Sequence, residues 1–533
     1  MLRSAALLSF VGLSAAILVA ACGSGGSGFS DGGTDGGSDG SSSCSGSQQS
    51  CGGKCVDTSS DLNNCGSCAN ACAGGDLCCA GKCVKSSGCD FAVTSINPVR
   101  GNQSGGDYIT LTGAGFTPDM AVFIGDGRAP TLVLDGNHAR IQTPPGPVGT
   151  YDITLVSTKG TSLTRSIFQY VAAGLALPWQ KKPMASVRGE HPGVTVLQDG
   201  RVLIAGGTTV PDSAADCLAT AEIFQRGPTD TVTPAANTMA VPRWHDAAVT
   251  MLDGRALVEG GAVCTGTACK TADLFDPTTN TFKPTANLMS EDRTSTWAVL
   301  MVDGRVMITS AGSATVEIYD PVSDAFSTVA LNTIHYFGQR IVRMRDGRVM
   351  VMGGDGCQGQ PTCGPAQTVA EIYDPKTNKF TLAKPMNQGR SQFTAHVLPD
   401  GRVMVFGGAS SSAGGVNAPM DSIEAYDPKA DTWTVMSYKL TVGRTWHASA
   451  LVRDGTIIVM GGYTTVSCTP SDSVDQVDPI AGTVSSFGTL PDPNTEWNAI
   501  TMLDGSVIGV GGGACGGNAL PDLDFLPGVP IPN

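Results

Sequence analysis

The side chains with the clearest chemical potential are histidines and arginines near one recurring kind of turn. The segment Gly443 to Tyr463, GRTWHASALVRDGTIIVMGGY, places an Arg-x-x-His group before an apolar run and an Asp-Gly pair. A histidine in that position could hold a transition metal through its imidazole. The remaining histidines show no helical zinc spacing, and no nucleophile elbow accompanies them. They are His138, His191, His245, His335 and His396.

Arginines recur ten or eleven residues before the aspartate of such Asp-Gly pairs. A guanidinium fork matches a carboxylate, so arginines gathered at a channel mouth could grip an acidic peptide or glycan. Aromatic residues among them suit stacking on sugars or peptides. The alternative is that repeated arginines make repeated scaffold bonds, and repetition itself favours it. The candidate ligand-binding set is Arg188, Arg243, Trp244, His245, Arg293, Tyr336, Arg390, Arg444, Trp446, His447 and Trp497.

The elements that must position these side chains are copies of one phrase: apolar residues, Asp-Gly, apolar residues, Gly-Gly. The copies lie 43 to 54 residues apart, and a period near 50 indicates a propeller or an array. Asp-Gly between apolar runs predicts a hairpin, because its turn requires positive φ. In several copies a third strand follows and ends in an aromatic residue and Asp-Pro, as in EIYDPKTNKF. The aspartates of the copies are Asp199, Asp253, Asp303, Asp346, Asp400, Asp454 and Asp504.

Together these motifs resemble the kelch repeat, which implies four-stranded blades. Seven Asp-Gly units therefore predict an all-β, seven-bladed kelch β-propeller over residues 175–533. The last copy is short of an outer strand, while LPWQKKPM precedes the first copy. We expect the strand around Trp179 to complete the C-terminal blade, because closure removes exposed sheet edges.

The galactose oxidase family uses such a propeller to hold copper through two tyrosines and two histidines. In this chain RTWH resembles the segment of that family that carries an axial tyrosine and a ligand histidine. His447 matches the histidine, but Trp446 stands at the tyrosine position and has no phenolic oxygen. Earlier blades read RGEH and PRWH, without a tyrosine or a neighbouring cysteine. The sequence therefore predicts no copper-radical site, no cofactor and no enzymatic activity; an enzyme with altered ligands is the alternative.

The loops after Gly-Gly should lie on the face opposite the Asp-Gly turns. Cys264 with Cys269, and Cys357 with Cys363, are close enough in sequence to pin single loops. Cys515 could bridge to a neighbouring blade. Loops cross-linked by disulfides on a rigid ring favour a recognition surface. Disulfides that only protect these loops against proteolysis are an equal alternative. The cysteines of these loops are Cys217, Cys264, Cys269, Cys357, Cys363, Cys468 and Cys515.

The N-terminus predicts export. Arg3 and the apolar run that follows are typical of a signal peptide, here residues 1–21. LVAAC resembles the bacterial lipobox, which implies a lipidated Cys22 and a membrane anchor, and Gly23 favours the outer membrane or cell surface. Ordinary cleavage beside an incidental cysteine is the alternative. Residues 22–43, rich in glycine, serine and aspartate, predict a flexible tether.

Two smaller domains are expected between the tether and the propeller. Residues 44–90 hold ten cysteines and resemble cysteine-rich stalk modules of bacterial surface proteins. Disulfides are favoured over zinc there, since the chain is exported and the module has no histidine. Residues 91–172 contain alternating runs such as DYITLTG and YDITLVST, which predict strands. The stretch resembles an IPT/TIG domain, which implies an immunoglobulin-like sandwich.

The chain of 533 residues carries a formal net charge of -14, which argues against a nucleic-acid partner. The sequence therefore predicts a membrane-anchored surface lipoprotein whose propeller binds a protein or a polysaccharide. A purely structural envelope protein is the remaining alternative.

Overall fold

The computed structural model is built from strands, turns and loops. The residues that it describes are 48–51, 54–58, 63–73, 77–79, 82–84, 91–158, 160–210, 216–261, 270–356, 365–411, 417–466, 469–513 and 519–528.

The cysteine-rich module is held by short hairpins and disulfides. The disulfides among its described residues are Cys51–Cys68, Cys65–Cys78 and Cys72–Cys83. Cys65 is completely buried, so sulfur atoms here occupy the place of a hydrophobic core. The described strands are β1 (Gln48–Cys51), β2 (Lys54–Asp57), β3 (Leu77–Cys79) and β4 (Lys82–Val84).

The second unit is a two-sheet sandwich. One sheet has the order β10-β11-β7-β5 and the other β6-β13-β12-β8-β9. Alternate residues of the strands face inward, as Ile109 and Leu111 do, and they meet Ile153 and Leu155 of the opposite sheet in one core. The strands are β5 (Ala92–Asn97), β6 (Arg100–Asn102), β7 (Tyr108–Ala114), β8 (Ala121–Ile124), β9 (Gly127–Ala129), β10 (Thr131–Val133), β11 (His138–Gln142), β12 (Gly149–Ser157) and β13 (Gly160–Val171).

The third unit is a ring of seven antiparallel blades. The strands of blades one to four are β15 (Gly193–Val196), β16 (Val202–Ala205), β17 (Ala221–Gln225), β18 (Thr231–Pro234); β19 (Ala247–Thr250), β20 (Ala256–Glu259), β21 (Ala272–Asp276), β22 (Thr281–Pro284); β23 (Trp297–Leu300), β24 (Val306–Thr309), β25 (Thr315–Asp320), β26 (Ala325–Ala330); β27 (Arg340–Arg343), β28 (Val349–Met352), β29 (Ala370–Asp374) and β30 (Lys379–Leu382). The strands of the later blades are β31 (Thr394–Val397), β32 (Val403–Phe406), β33 (Ala409–Ser411), β34 (Asn417–Pro419), β35 (Ile423–Asp427), β36 (Thr432–Val435); β37 (Ala448–Leu451), β38 (Ile457–Met460), β39 (Ser471–Asp478), β40 (Thr483–Thr501); β41 (Val507–Gly513), β42 (Asp522–Leu526) and β14 (Gln180–Pro183).

The predicted fold class and ring closure are confirmed. Strand β14 pairs with β42, with Gln180 opposite Phe525, so the first strand of the propeller completes the last blade. Trp179, beside β14, is buried in the same cluster as Trp497 and Leu526. Strand β40 is shared: its first part is the outer strand of blade six, and its last part is the innermost strand of blade seven.

The propeller core lies between neighbouring blades. Leu203 of blade one packs with Val258 and Phe275 of blade two, and Phe525 of blade seven packs with Phe224 of blade one. Within each of four blades the third-strand aromatic contacts the outer-strand aromatic, as Tyr426 does Trp433 at 5.2 Å between ring centroids. The Asp-Pro phrase therefore supplies the outer packing layer of the blade.

The sandwich docks against the face of the propeller that carries the Asp-Gly turns. Backbone hydrogen bonds join Arg128 to Arg345 at 2.8 Å and Thr131 to Val302 at 3.0 Å. Arg140 of the sandwich also donates a hydrogen bond to the side-chain oxygen of Gln198, in a different blade, at 2.8 Å. A cavity of about 440 Å³ inside the channel is lined by sandwich residues and by the innermost strands of the blades. The sandwich thus covers one end of the central channel.

Candidate functional site

The expectation that five arginines lie exposed at the channel mouth is wrong. Each of them is completely buried, with 0% of its surface exposed. Each pairs with a carboxylate on the third strand of its own blade, so the recurring arginine is a scaffold bond. The pairs are Arg188–Glu222 at 3.0 Å, Arg243–Asp273 at 2.7 Å, Arg293–Glu317 at 3.3 Å, Arg390–Glu424 at 2.8 Å and Arg444–Asp475 at 3.3 Å.

The guanidinium groups of these arginines also hold the Gly-Gly turns of their blades in place. Arg390 donates to the carbonyl oxygen of Gly407 at 2.7 Å, and Arg444 donates to that of Gly461 at 2.8 Å. These donors satisfy carbonyls where the chain leaves the second strand. The arginine therefore ties the second and third strands of the blade to the segment that precedes its innermost strand.

Two blades carry substitutes that sequence reasoning missed. In blade four His335 contacts the carbonyl oxygen of Gly353 at 2.8 Å and lies 3.4 Å from Glu371. In blade seven Asn494 donates to the carbonyl oxygen of Gly511 at 3.1 Å. Their spacing from the Gly-Gly pair could have identified them. Each substitute lies 17 or 18 residues before the glycine whose carbonyl oxygen it contacts.

Two further members of the candidate set are buried. Trp497 is 1% exposed and His447 is 2% exposed, so neither can form part of an outer contact surface. Trp244, His245, Tyr336 and Trp446 are half-buried. The structure brings Trp244, His245 and Trp446 of the set into one ring-to-ring group, with centroids 4.6 Å apart for Trp244–His245 and 6.2 Å apart for His245–Trp446.

Four rings meet on the channel axis at the end opposite the sandwich; we call His191, His245, Phe337 and Trp446 the axial aromatic cluster. Successive ring centroids lie 5.1 Å (His191–His245), 5.9 Å (His245–Phe337), 5.2 Å (Phe337–Trp446) and 5.3 Å (Trp446–His191) apart. A cavity of about 200 Å³ is lined by this cluster together with Trp297, Arg340 and Asn498. Phe337, Arg340 and His191 lie outside the candidate set predicted from the sequence.

The backbone explains how these side chains reach the axis. His191, His245 and Trp446 have φ values of 46°, 53° and 56°, just before the innermost strands of their blades. This left-handed conformation is costly for residues other than glycine. A glycine, Gly338, takes a comparable φ of 80° in blade four. Ser295, Gln392 and Glu496 take the same conformation in the other blades, so the left-handed position belongs to the repeat and sets where its side chain lies in every blade.

The imidazoles of the channel are neutral at physiological pH. Burial lowers the pKa of His245 to about 4 and that of His396 to about 4. Burial lowers the pKa of His191 and of His447 well below the usual range, and the charge of Arg340 adds to the effect. Neutral rings can stack on a ligand and exchange hydrogen bonds with it.

Within the described part of the chain, the side-chain grouping close enough to hold a metal ion is Cys65, Cys72 and Cys83. These sulfurs belong to two disulfides, so they are not free ligands. His447 contacts Thr394 at 3.0 Å, and His396 contacts Ser449 at 2.7 Å. These two channel histidines are thus engaged with hydroxyl groups.

Two buried carboxyl groups lie close to the channel in blade two. Burial raises the pKa of Asp246 to about 8 and the pKa of Glu259 to about 8, although Arg243 opposes both shifts. Both groups are therefore mostly protonated near pH 7. Asp246 also lines the cavity beneath the axial aromatic cluster, where it presents a neutral acid.

Of the cysteines in the loops after Gly-Gly, Cys217 alone lies among the described residues. Cys217 is disulfide-bonded. Cys264, Cys269, Cys357, Cys363, Cys468 and Cys515 lie outside the described residues, as do Cys22 and the tether. Among the described residues no helix is long and apolar enough to cross a membrane.

Three family models match separate parts of the chain. The IPT/TIG domain matches residues 92–170, the stigma-specific STIG1-like protein family matches residues 35–88, and the Kelch motif matches residues 390–439. The cysteine-rich module is thus similar to a family other than the bacterial stalk modules that its sequence suggested.

Curated relatives match the propeller repeats. Kelch-like protein 25 of Xenopus tropicalis is 28% identical over 155 residues, which are 28% of this chain and 25% of that protein. Alpha-scruin of Limulus polyphemus is 25% identical over 181 residues, 33% of this chain and 19% of that protein. Kelch-like protein 26 of Danio rerio is 36% identical over 124 residues, 23% of this chain and 19% of that protein. The chain therefore spans a quarter or less of the length of each of these relatives.

Proposed function

We propose that the protein is a surface lipoprotein whose propeller binds a protein or polysaccharide ligand at the end of the channel that carries the axial aromatic cluster. The similarity to kelch proteins supports a protein-binding propeller, so a protein ligand is the first choice. No enzymatic step is part of the proposal.

The observation that carries the proposal is the position of the sandwich. It covers the Asp-Gly end of the channel through hydrogen bonds from Arg128, Thr131 and Arg140. That leaves the opposite end for a ligand, and there Trp446, His245 and Phe337 are half-buried on a rigid ring. Rings held in place before binding lose little conformational entropy when a ligand docks.

Binding of the full chain to peptide and glycan arrays would test the ligand proposal. We expect Trp446→Ala to weaken capture at least tenfold, because an aromatic anchor at an interface contributes about 2 kcal/mol or more. The matched control is Ile480→Ala, because Ile480 is 86% exposed at an Asp-Pro turn on the opposite face. Equal binding by both variants would contradict the proposed site.

The anchor is proposed from LVAAC at the end of the apolar run. Cys22→Ser should abolish incorporation of labelled fatty acid and release the protein from the membrane fraction of the expressing cell, since several buried acyl chains are needed for stable anchoring. Cys217→Ser is a suitable control for the loss of a cysteine elsewhere. Retention of the Cys22→Ser protein in membranes would refute lipid anchoring.

A further inference from the structure

Arg340 occupies an unusual place in the propeller. It begins the innermost strand of blade four, β27, and only 7% of its surface is exposed. It lines the cavity beneath the axial aromatic cluster and also a neighbouring cavity of about 170 Å³ beside His396 and His447. The guanidinium therefore lies inside the central channel.

The contacts of Arg340 leave its charge without a counter-ion. The guanidinium stacks over the ring of Trp297 at 3.9 Å, and its Nη1 donates to the carbonyl oxygen of Gln339 at 2.9 Å. Among the described residues no carboxylate oxygen lies within 4.0 Å of it, in contrast to the five paired arginines of the scaffold. A guanidinium has five N–H donors, so most of its hydrogen-bonding capacity remains for another partner.

The titratable groups that line these two cavities with Arg340 do not supply negative charge either, although the carboxylate of Glu190 lies close by, with its Oε2 4.0 Å from His245 Nε2. His191, His245, His396 and His447 are neutral, as described above. The pKa of Asp246, about 8, keeps that carboxyl mostly protonated near neutral pH. Burial lowers the pKa of Arg340 to about 9, so the guanidinium stays charged at pH 7.

A second observation indicates an anion. Another guanidinium, that of Arg343, lies on the same strand and faces the lower cavity, where it donates to Gln142 at 3.2 Å. An isolated buried charge costs several kcal/mol unless an opposite charge compensates it. His191 also lines the cavity with Arg340, but its Nδ1 donates to Asn498 Oδ1 at 3.4 Å, so its Nε2 is an acceptor and takes no part in the anion site. The channel thus holds excess positive charge.

We propose that the channel binds a small monovalent anion, either a halide or a short carboxylate, against the free N–H edge of Arg340. The site is internal and separate from the outer ligand surface, so it would stabilise the ring whether or not the propeller has a macromolecular ligand. Trp297 fixes the guanidinium plane, and Arg343 adds to the attractive potential from below.

Thermal unfolding of the full chain tests this proposal with sodium chloride, bromide, acetate and gluconate at equal ionic strength. Gluconate, with its long polyol chain, serves as the anion that does not fit. Above its dissociation constant, each tenfold rise in a bound anion should raise the folded-to-unfolded ratio about tenfold. Arg340→Gln should abolish this dependence, and Arg402→Gln, which changes a partly exposed arginine of the next blade, should retain it.

Crystals of the unaltered chain soaked in bromide provide a measurement that does not depend on a variant folding. We expect an anomalous peak inside the channel beside the Arg340 guanidinium. Stabilisation by acetate without a bromide peak would assign the site to carboxylates, whereas both signals would assign it to halides. Equal stabilisation by gluconate, or the absence of both anion-specific stabilisation and a channel peak, would overturn the proposal.

Discussion

Replacing Arg390 by alanine is the most direct test of the scaffold role assigned to the repeated arginines. Arg390 is completely buried, and so is its partner Glu424. Its guanidinium donates to Gly407, Ser422, Gln388 and Glu424. The substitution therefore removes one charge of a buried pair and a set of hydrogen bonds at once.

The expected cost follows from what is left behind. Glu424 keeps backbone donors from Asn387 at 2.8 Å and from Gln388 at 3.1 Å, but its charge loses the guanidinium that is paired with it. Removing one partner of a buried ion pair costs about 3–5 kcal/mol. We expect a decrease of that size in the free energy of unfolding of the propeller.

The assay is urea unfolding of the full chain, followed by tryptophan fluorescence. Arg402→Ala is the matched control, because Arg402 pairs with Asp400 in the same blade with side chains 29% and 44% exposed. An exposed pair contributes about 0–1 kcal/mol. If Arg390→Ala costs no more than Arg402→Ala, the arginine is not the scaffold bond described above, and a ligand-binding role would return to consideration.

Two other predictions concern single sites. The pKa of Asp246 is raised to about 8 in the folded chain. Its contribution to the free energy of unfolding is therefore full below the unfolded pKa near 4 and is lost as pH rises through about 8. Between these values the free energy of unfolding should fall by up to about 1.4 kcal/mol per pH unit. Asp246→Asn should flatten the stability profile between pH 5 and 8 in chemical unfolding, and parallel profiles for the two proteins would contradict this reasoning. Gly389→Ala should destabilise blade five by about 2 kcal/mol or more, because the added Cβ would lie 1.9 Å from the carbonyl oxygen of Ala366; Gly136→Ala, where the Cβ meets no atom within 4 Å, is the control, and equal unfolding midpoints would show that the backbone yields without cost.

The blade count and the ring closure were predictable because their signals are local. Asp-Gly turns such as Asp400-Gly401 specify hairpins whose strands are adjacent in sequence, with Val397 opposite Val403. The unmatched strand around Trp179 then had one open edge to join. Local turn chemistry and a fixed period therefore determined the architecture.

The burial of the arginines could have been inferred, but a different comparison was needed. The third strands of the arginine-bearing blades carry an acid at a matching place in AEIF, ADLF, VEIY, IEAY and VDQV, and its recurrence with the arginine indicates a pair within each of these blades. The position of the sandwich had no such signal. Its contacts join Arg128 to Arg345 and Thr131 to Val302 through backbone groups, which no side-chain pattern records. Phe337 and Arg340 were missed for a related reason, since they belong to blade four, one of the two blades that lack the repeated arginine.

The pairing of β14 with β42 has a consequence for biosynthesis. Synthesis proceeds from the N-terminus, so the segment around Lys181 emerges well before its hydrogen-bonding partner around Asp524. Until then the nascent chain presents two open sheet edges, which are templates for aggregation. A chain whose translation stops before the strand around Asp524 is therefore expected to aggregate more readily than the closed ring.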